Sequence, residues 1–447
     1  MSQGFHPTPE QLALAERRRL KREQRKATEA KEKEEQSRIL SREWVTLQDS
    51  TRCQHTVRVM SWNLLAQCLV RRELFPTSDC LKANQRENML YREILSHNAH
   101  ICCLQEVDRT EKLLPILENA GYASVYASGP RKRHGCLIAY RKDMYIHAGE
   151  HIVHYDEQDV RDEGSEKAHI GSSFRTRNIA SLVALKQRET QNEGVIVATS
   201  HLFWHPSYAY ERARQAAVLL REVVRFRDEG VGNPQWPCII AGDFNFQPDD
   251  PVYSLLVGDP LLPNQAARLD TSRVVHASID PDVAITSPSP AAEDEEGEEA
   301  GGGDPDRVIV NARLATPEDG LLTNAELVHF FERLRSLRSV YDEGQRLQPQ
   351  LSQMGLTFGS RVSIPDARHG AFEPVWTSYT HLSTSTDLVW TLQDYIFVLD
   401  PPSHKLLICS LAKPHSANDL GLGLPRRGIG GSDHISLGAE LGWIVEQ

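Results

Sequence analysis

Six places in this 447-residue chain set a side chain able to grip a phosphate or a hard cation at the end of a short apolar run. Asn63 follows residues 56–62, Glu106 follows 101–105 and His201 follows 194–200. Asp243 and Asn245 follow 238–242, Asp394 precedes 395–399, and Asp433 with His434 precedes a last apolar run. Each has an ordinary explanation, because Asp and Asn favour turns by hydrogen-bonding their own backbone. For Asp243 and Asn245 taken alone, that plain turn is the better reading. Six together point elsewhere. Strands that end along one edge of a sheet stack bring polar tips into one cleft while their apolar bodies keep it rigid. Carboxylate and amide oxygens select Mg2+ or Mn2+, and no Cys/His cluster has the spacing of a zinc site.

The elements that must hold these residues follow from hydrophobic periodicity. Residues 56–63 alternate like a half-buried strand, and 101–106 form a second run of strand length. Between them, 85–97 has helical spacing in Met89, Leu90, Ile94 and Leu95. A short helix over 112–119 stops at Gly121, as helices often do. Residues 122–127 and 136–140 predict a hairpin whose tip, 131–135, is cationic. Runs 179–185 and 194–201 make another strand pair, followed by an aromatic turn through Trp204, His205 and Pro206. A long amphipathic helix over 210–226 is expected to carry Arg212, Arg214, Arg221, Arg225 and Arg227 on or near its polar side. Gly242 is read as the point where a strand ends and the backbone turns. One helix is expected over 323–341, a loose stretch over 342–372, and a strand over 394–399 entered at its acid.

Hydrophobic residues make up 40% and charged residues 25%, the balance of a soluble globular protein. No apolar run reaches the roughly 18 residues that cross a bilayer, so no membrane partner is expected. The polar N-terminus lacks the pattern of a secretory signal, and its glutamates argue against a mitochondrial presequence. The eight cysteines include five inside apolar runs and no CxxC pair, which reads as reduced core thiols in an intracellular protein, nuclear or cytoplasmic. The net charge of -11 is local: residues 293–306 hold eight acids and no base, leaving about -3 elsewhere. Residues 276–307 therefore read as a disordered acidic insertion within a catalytic domain spanning 55–447. Residues 1–50 form a charged segment, helical or disordered, on which protein partners would be met. Its basic run 17–26 suits a nuclear-import or RNA-contacting patch, or simply a solvated face.

Five motifs then agree in order. Ser61-Trp62-Asn63, Leu104-Gln105-Glu106, Ser200-His201, Gly242-Asp243-Phe244-Asn245 and Ser432-Asp433-His434 resemble the endonuclease/exonuclease/phosphatase superfamily, over about residue 55 to the end. Asn63-Leu64-Leu65-Ala66, the run 201–206, and Glu373-Pro374 leading to Thr377-Ser378-Tyr379-Thr380 resemble its deadenylase-related branch of nocturnin and Angel proteins. The charged N-terminal segment without leucine-rich repeats is most similar to fungal Ngl-type RNA exonucleases. The resemblance implies an α/β (α+β) fold, a four-layer αββα sandwich of two mostly antiparallel sheets flanked by helices. It implies a Mg2+-dependent 3′-exoribonuclease acting on single-stranded RNA, in 3′-end processing or deadenylation. The alternatives are a metal-dependent phosphatase of a small or dinucleotide substrate and an inactive scaffold.

Residue by residue, the resemblance makes Glu106 the main metal ligand with Asn63 nearby, and Asp433 the completion of the acidic cluster. Asp243 and Asn245 would orient the attacking water, His201 and His434 would donate to the phosphate, and Asp394 would fix the tautomer of His434. Trp204, His205 and Pro206 either wall a base pocket or pack the following helix. In deadenylases proper the glycine of the cationic hairpin follows an acid. Here Gly135 follows His134, a substrate-contacting position, so strict poly(A) preference does not follow. Trp390 is the nearest candidate for a second base clamp.

Overall fold

Side chains that alternate with a period of two build both sheets of this protein. The computed structural model describes residues 8–190, 193–285, 309–347, 356–365, 367–381 and 388–443. The first sheet has seven strands in the order β1 (Trp44–Thr46), β16 (Leu407–Ala412), β17 (Leu437–Trp443), β2 (His55–Asn63), β3 (Ile101–Val107), β5 (Gly135–Arg141) and β4 (Tyr122–Ser128). The second has six: β12 (Arg338–Ser339), β15 (Asp394–Leu399), β9 (Cys238–Asp243), β8 (Gly194–His201), β7 (Ile179–Gln187) and β6 (Tyr145–His154). Pairing is antiparallel except for one parallel pair in each sheet, β2 with β3 and β8 with β9. Two short ribbons, β10 (Val274–His276) with β11 (Ala312–Leu314) and β13 (Ser378–His381) with β14 (Leu388–Thr391), sit outside them.

The layers follow from which way alternate residues point. Val57 and Val59 of β2 meet Ile239 and Ala241 of β9 in a dry core between the sheets. Met60 and Trp62, on the other face of β2, pack on Ile94 and Leu113 of the helices Ala83–Ser96 and Thr110–Asn119. Cys238 and Ile240, on the other face of β9, pack against Ala213, Ala217 and Val218 of the helix Ala209–Arg225. Helix, sheet, sheet, helix is the expected αββα sandwich. All eight cysteines are free thiols and six are buried, as the reduced-core reading requires. Among the described residues no helix is long and apolar enough to cross a membrane.

Several elements differ from the sequence expectation. Arg212 and Arg214 are not on a solvated face: they are 1% and 0% exposed. The helices Pro251–Val257, Pro263–Thr271 and Asn324–Glu332 pack against that helix and enclose it. Arg214 donates to the carbonyls of Tyr155 (3.0 Å) and Gln158 (2.8 Å), and it pairs with the equally buried Glu211 (3.4 Å). The single helix expected over 323–341 ends at Glu332, because Arg338 and Ser339 leave it to form the edge strand β12 and a new helix, Val340–Leu347, begins. Arg338 holds that break by spanning Glu343 (2.7 Å) and Asp400 (2.7 Å). β6 and β16 were not read from the sequence, and β1 extends the ordered fold upstream of His55. The helix Pro9–Gln36 precedes it and is exposed at the side chains described. Of the expected acidic insertion, residues 286–307 lie outside the described residues, and their flanks pair as β10 and β11.

Candidate active site

The strand tips converge. Asn63, the last residue of β2, donates through Nδ2 to Glu106 Oε1 (2.7 Å) and Asp243 Oδ2 (2.9 Å), joining the two sheets with one amide. The Leu65 and Ala66 amides donate to Asn63 Oδ1 (2.9 Å) and Glu106 Oε2 (2.8 Å). Glu106 reaches this position through a bulge between Leu104 and Val107, where its φ is +53°. A non-glycine residue there costs on the order of 1 kcal/mol. Asn245 (φ +53°) and Leu65 (φ +58°) share that left-handed region, so backbone strain clusters at this cleft. Asn245 is pinned by its N–H to Asp243 Oδ1 (3.1 Å) and its amide to Leu202 O (2.9 Å).

Two histidines face the carboxylates. His201 lies 3.8 Å from Glu106 Oε1 and 3.7 Å from Asp243 Oδ2. His434 Nδ1 lies 2.8 Å from Asp394 Oδ2 and its Nε2 3.7 Å from Asp243 Oδ2. Burial disfavours the imidazolium of His434, but the Asp394 and Asp433 carboxylates outweigh it and hold its pKa well above the ordinary value. Burial and the neighbouring Asp394 push Asp243 up, and burial pushes Asp433 up. Thr377 Oγ1 accepts from the Asp394 N–H (3.1 Å) and the Asp433 carbonyl accepts from the Tyr379 N–H (2.8 Å), so the segment 377–379 sets both acids.

Gly242 does not turn the chain as expected. It lies inside β9, and a Cβ there would stand 2.1 Å from the Ser200 carbonyl of β8. The glycine lets two strands approach closely enough to set His201 and Asp243 side by side, in parallel register.

Two depressions of about 400 Å³ each, open solvent included, adjoin Glu106. Lys132, His134, Arg177, Asn178, His201 and Trp204 line one. Lys132 Nζ donates to Asn178 Oδ1 (2.7 Å), and Asn178 Nδ2 donates to the His201 carbonyl (3.0 Å). The hairpin tip is thereby tied to the site.

A match to the family described as Endonuclease/Exonuclease/phosphatase spans residues 60–434, and every residue of the cluster falls inside it. The chain belongs to that family. A probable RNA exonuclease of Schizosaccharomyces pombe is 27% identical over 409 residues, covering 86% of this chain and 76% of that one. RNA exonuclease NGL2 of Saccharomyces cerevisiae is 31% identical over 226 residues, 46% of this chain, and the match spans only 42% of that relative's length. Among solved structures, ANGEL2, a 2′,3′-cyclic phosphatase, superposes with TM-score 0.55 at 20% identity, covering 90% of this chain and 99% of that one. The human Nocturnin catalytic domain gives 0.50 at 17%, covering 90% and 97%. These two likenesses concern the fold.

Within this family frame the structure brings Asn63, Glu106, His201, Asp243, Asn245, Asp394 and His434 together, and sets His134 and Trp204 in the adjoining depression. His205 and Pro206 do not line that depression, although the His205 ring touches that of Trp204 (centroids 5.1 Å). The His205 ring is buried against Tyr208 (centroids 4.9 Å), and both carbonyls accept from Arg212, so these two pack the following helix. Asp433 is buried beside His434, with Ser432 Oγ 3.4 Å from its Oδ1. The Trp390 side chain lies outside the described residues.

Sequence reasoning missed Arg86. It is 2% exposed and donates to the carbonyls of Leu64 (3.2 Å), Leu65 (2.8 Å) and Gly431 (2.9 Å), clamping the turn after Asn63 to the turn before Asp433. Burial lowers its pKa, and Asp433, Asp108 and Glu106 supply the opposing charge. A signal was present: Arg86 and Glu93 share with Met89 and Ile94 the buried face of the helix Ala83–Ser96. Two charges on an apolar stripe require internal partners.

Proposed function

We propose that this chain is a Mg2+-dependent exoribonuclease that hydrolyses RNA phosphodiester bonds from the 3′ end. The convergence of Asn63, Glu106, His201, Asp243, Asp394 and His434 on one cleft carries the reading. The names of the yeast relatives support RNA as the substrate. The donor set fits a hard cation: Glu106, Asp243, Asp394 and Asp433 are four buried carboxylates, and Asp394 Oδ1 has no hydrogen-bond partner. Ligand atoms of Asp243, Asp394 and His434 lie within 4.8 Å of one another. Asp394 Oδ2 is taken by His434 Nδ1, so Glu106 with Asn63, Asp243 and Asp433 would hold the ion, with Asp394 adding only its Oδ1. Bound there, a divalent cation would supply positive charge against the negative charge that builds on the phosphate.

The chain's own groups do the rest. Asp243 takes up the proton of the attacking water, with Asn245 fixing the Asp243 carboxylate through its N–H. His434, kept as the imidazolium with Nδ1–H on Asp394 and Nε2–H turned to the cleft, and His201 donate to the non-bridging oxygens. Trp204 offers a flat face to the base beside the reacting bond.

The test gives purified protein and Mg2+ a 5′-labelled oligo(A), a mixed-sequence RNA, the matching DNA and a 2′,5′-linked oligoadenylate. Stepwise shortening of RNA from the 3′ end, abolished by EDTA, is the expected result. No shortening of either RNA sinks the proposal. Preference for the 2′,5′ linkage would move the reading toward a relative named 2′,5′-phosphodiesterase 12 in Bos taurus, 28% identical over 220 residues, 45% of this chain and 36% of that one.

A further inference from the structure

The polypeptide ahead of the family's matched region does not simply lead into the fold. After the helix Pro9–Gln36 the chain crosses behind the turn that carries Asp433 and His434. The Leu40 N–H donates to Ile429 O (3.0 Å) at the base of that turn. Its side chain joins an apolar cluster with Tyr379, Leu420, Leu424 and Ile435, the last being the residue after His434. Two positions on, Arg42 buries its side chain to 4% exposure. Its Nη2 donates to Ser436 Oγ (3.1 Å) and its Nη1 to the Lys413 carbonyl (3.0 Å). Ser436 donates to Glu93 Oε1 (2.6 Å) and lies 2.9 Å from His97 Nε2. Glu93 also stands 3.7 Å from Arg42. The strap then closes as β1, paired with β16.

We propose that Arg42 is a positioning residue for the Asp433–His434 turn, acting through Ser436. The inference rests on reading His434 as a group that touches substrate. His434 is held in front by Asp394 and through its carbonyl by the Trp62 indole (2.8 Å). Behind it, two residues on, the chain is held by the Arg42–Ser436–Glu93–His97 cluster. A buried, connected polar cluster fixes geometry more sharply than apolar contact does. Loss of the guanidinium leaves Glu93 without its cation and Ser436 without one partner. The turn then gains freedom along the direction in which His434 must aim. Arg42 precedes the matched region and Ser436 follows it, so the device ties both flanks to Glu93 and His97 within it.

The test follows full-length Arg42→Ala, Arg42→Lys and Ser436→Ala by hydrogen–deuterium exchange and by RNA cleavage. In Arg42→Ala, amides of residues 430–436 are expected to exchange at least about fivefold faster, while 194–201 and 238–243 keep their protection. kcat falls about tenfold with KM within twofold, and Arg42→Lys recovers most of it. Ser436→Ala gives the same loss and adds nothing to Arg42→Ala. Unchanged protection at 430–436, or faster exchange confined to 37–46 and 407–412, overturns the proposal. So does an unaltered kcat in Ser436→Ala, which also serves if Arg42→Ala does not fold. If wild-type protein cleaves no RNA, the exchange comparison still decides the positioning role and only the functional reading falls.

Discussion

Replacing Asp394 by Asn tests the site with a change of one atom. Asp394 Oδ2 accepts from His434 Nδ1 at 2.8 Å, and the backbone of residue 394 is separately held by Thr377 Oγ1 (3.1 Å), so the fold should survive. An amide in that place no longer neutralises an imidazolium, so the protonated ring is held less firmly. At an effective dielectric near 20, a unit charge pair at that separation is worth about 6 kcal/mol. Asp433 remains as a second carboxylate near the ring and keeps part of that stabilisation. Taking half gives about 3 kcal/mol, or roughly a 10²-fold fall in kcat at pH 7. Because Asp394 raises the pKa of His434, the protonated donor of wild type persists to high pH. In Asp394→Asn the alkaline limb of kcat moves down toward the ordinary histidine range. Single-turnover cleavage of labelled RNA across pH 5–10 measures both. A loss under about fivefold, or an unmoved limb, refutes the role given to this pair.

Glu106→Gln should abolish nearly all activity at low Mg2+ and recover part of it at high Mg2+, read from a titration of rate against cation. Trp204→Ala should raise KM several-fold with an unchanged melting temperature. His205→Ala should instead lower the melting temperature, since its ring packs on Tyr208. Burial opposes ionisation of Glu93, but His97, Arg42 and Ser436 bring its pKa down to about 2 from 4.5. Its stabilisation is present above pH 4.5 and is lost as pH falls through about 2, at most about 3 kcal/mol. Urea midpoints of wild type and Glu93→Gln should therefore converge as pH drops from 5 to 2.5.

The strand tips were legible because a polar residue closing an apolar run is a local pattern, and five such motifs matched one family in order. What escaped notice depends on distant partners. Nothing in the periodicity of 210–226 says that Arg214 will be held by the carbonyls of Tyr155, Gln158 and Ile170, or that Arg212 will face Asp250. β1 and β12 are three and two residues long, too short for any period to register. β6 carries His147, Glu150 and His151 on a sheet edge and so lacks an apolar signal. Gly242 was recognised as special for the wrong reason: interstrand contact, not a turn, demands it. Arg86 and Glu93 stood on an apolar stripe and could have been found.

Each sheet has one parallel pair, and each pair ends in residues of the site: Asn63 beside Gln105 with Glu106 next, and His201 beside Asp243. The first pair belongs to one sheet and the second to the other, so neither half-molecule owns a complete constellation. The constellation is therefore complete only where the two sheets pack together. On the proposed reading, recovery of cleavage during refolding reports the packing of the two sheets, whereas circular dichroism reports strand and helix content.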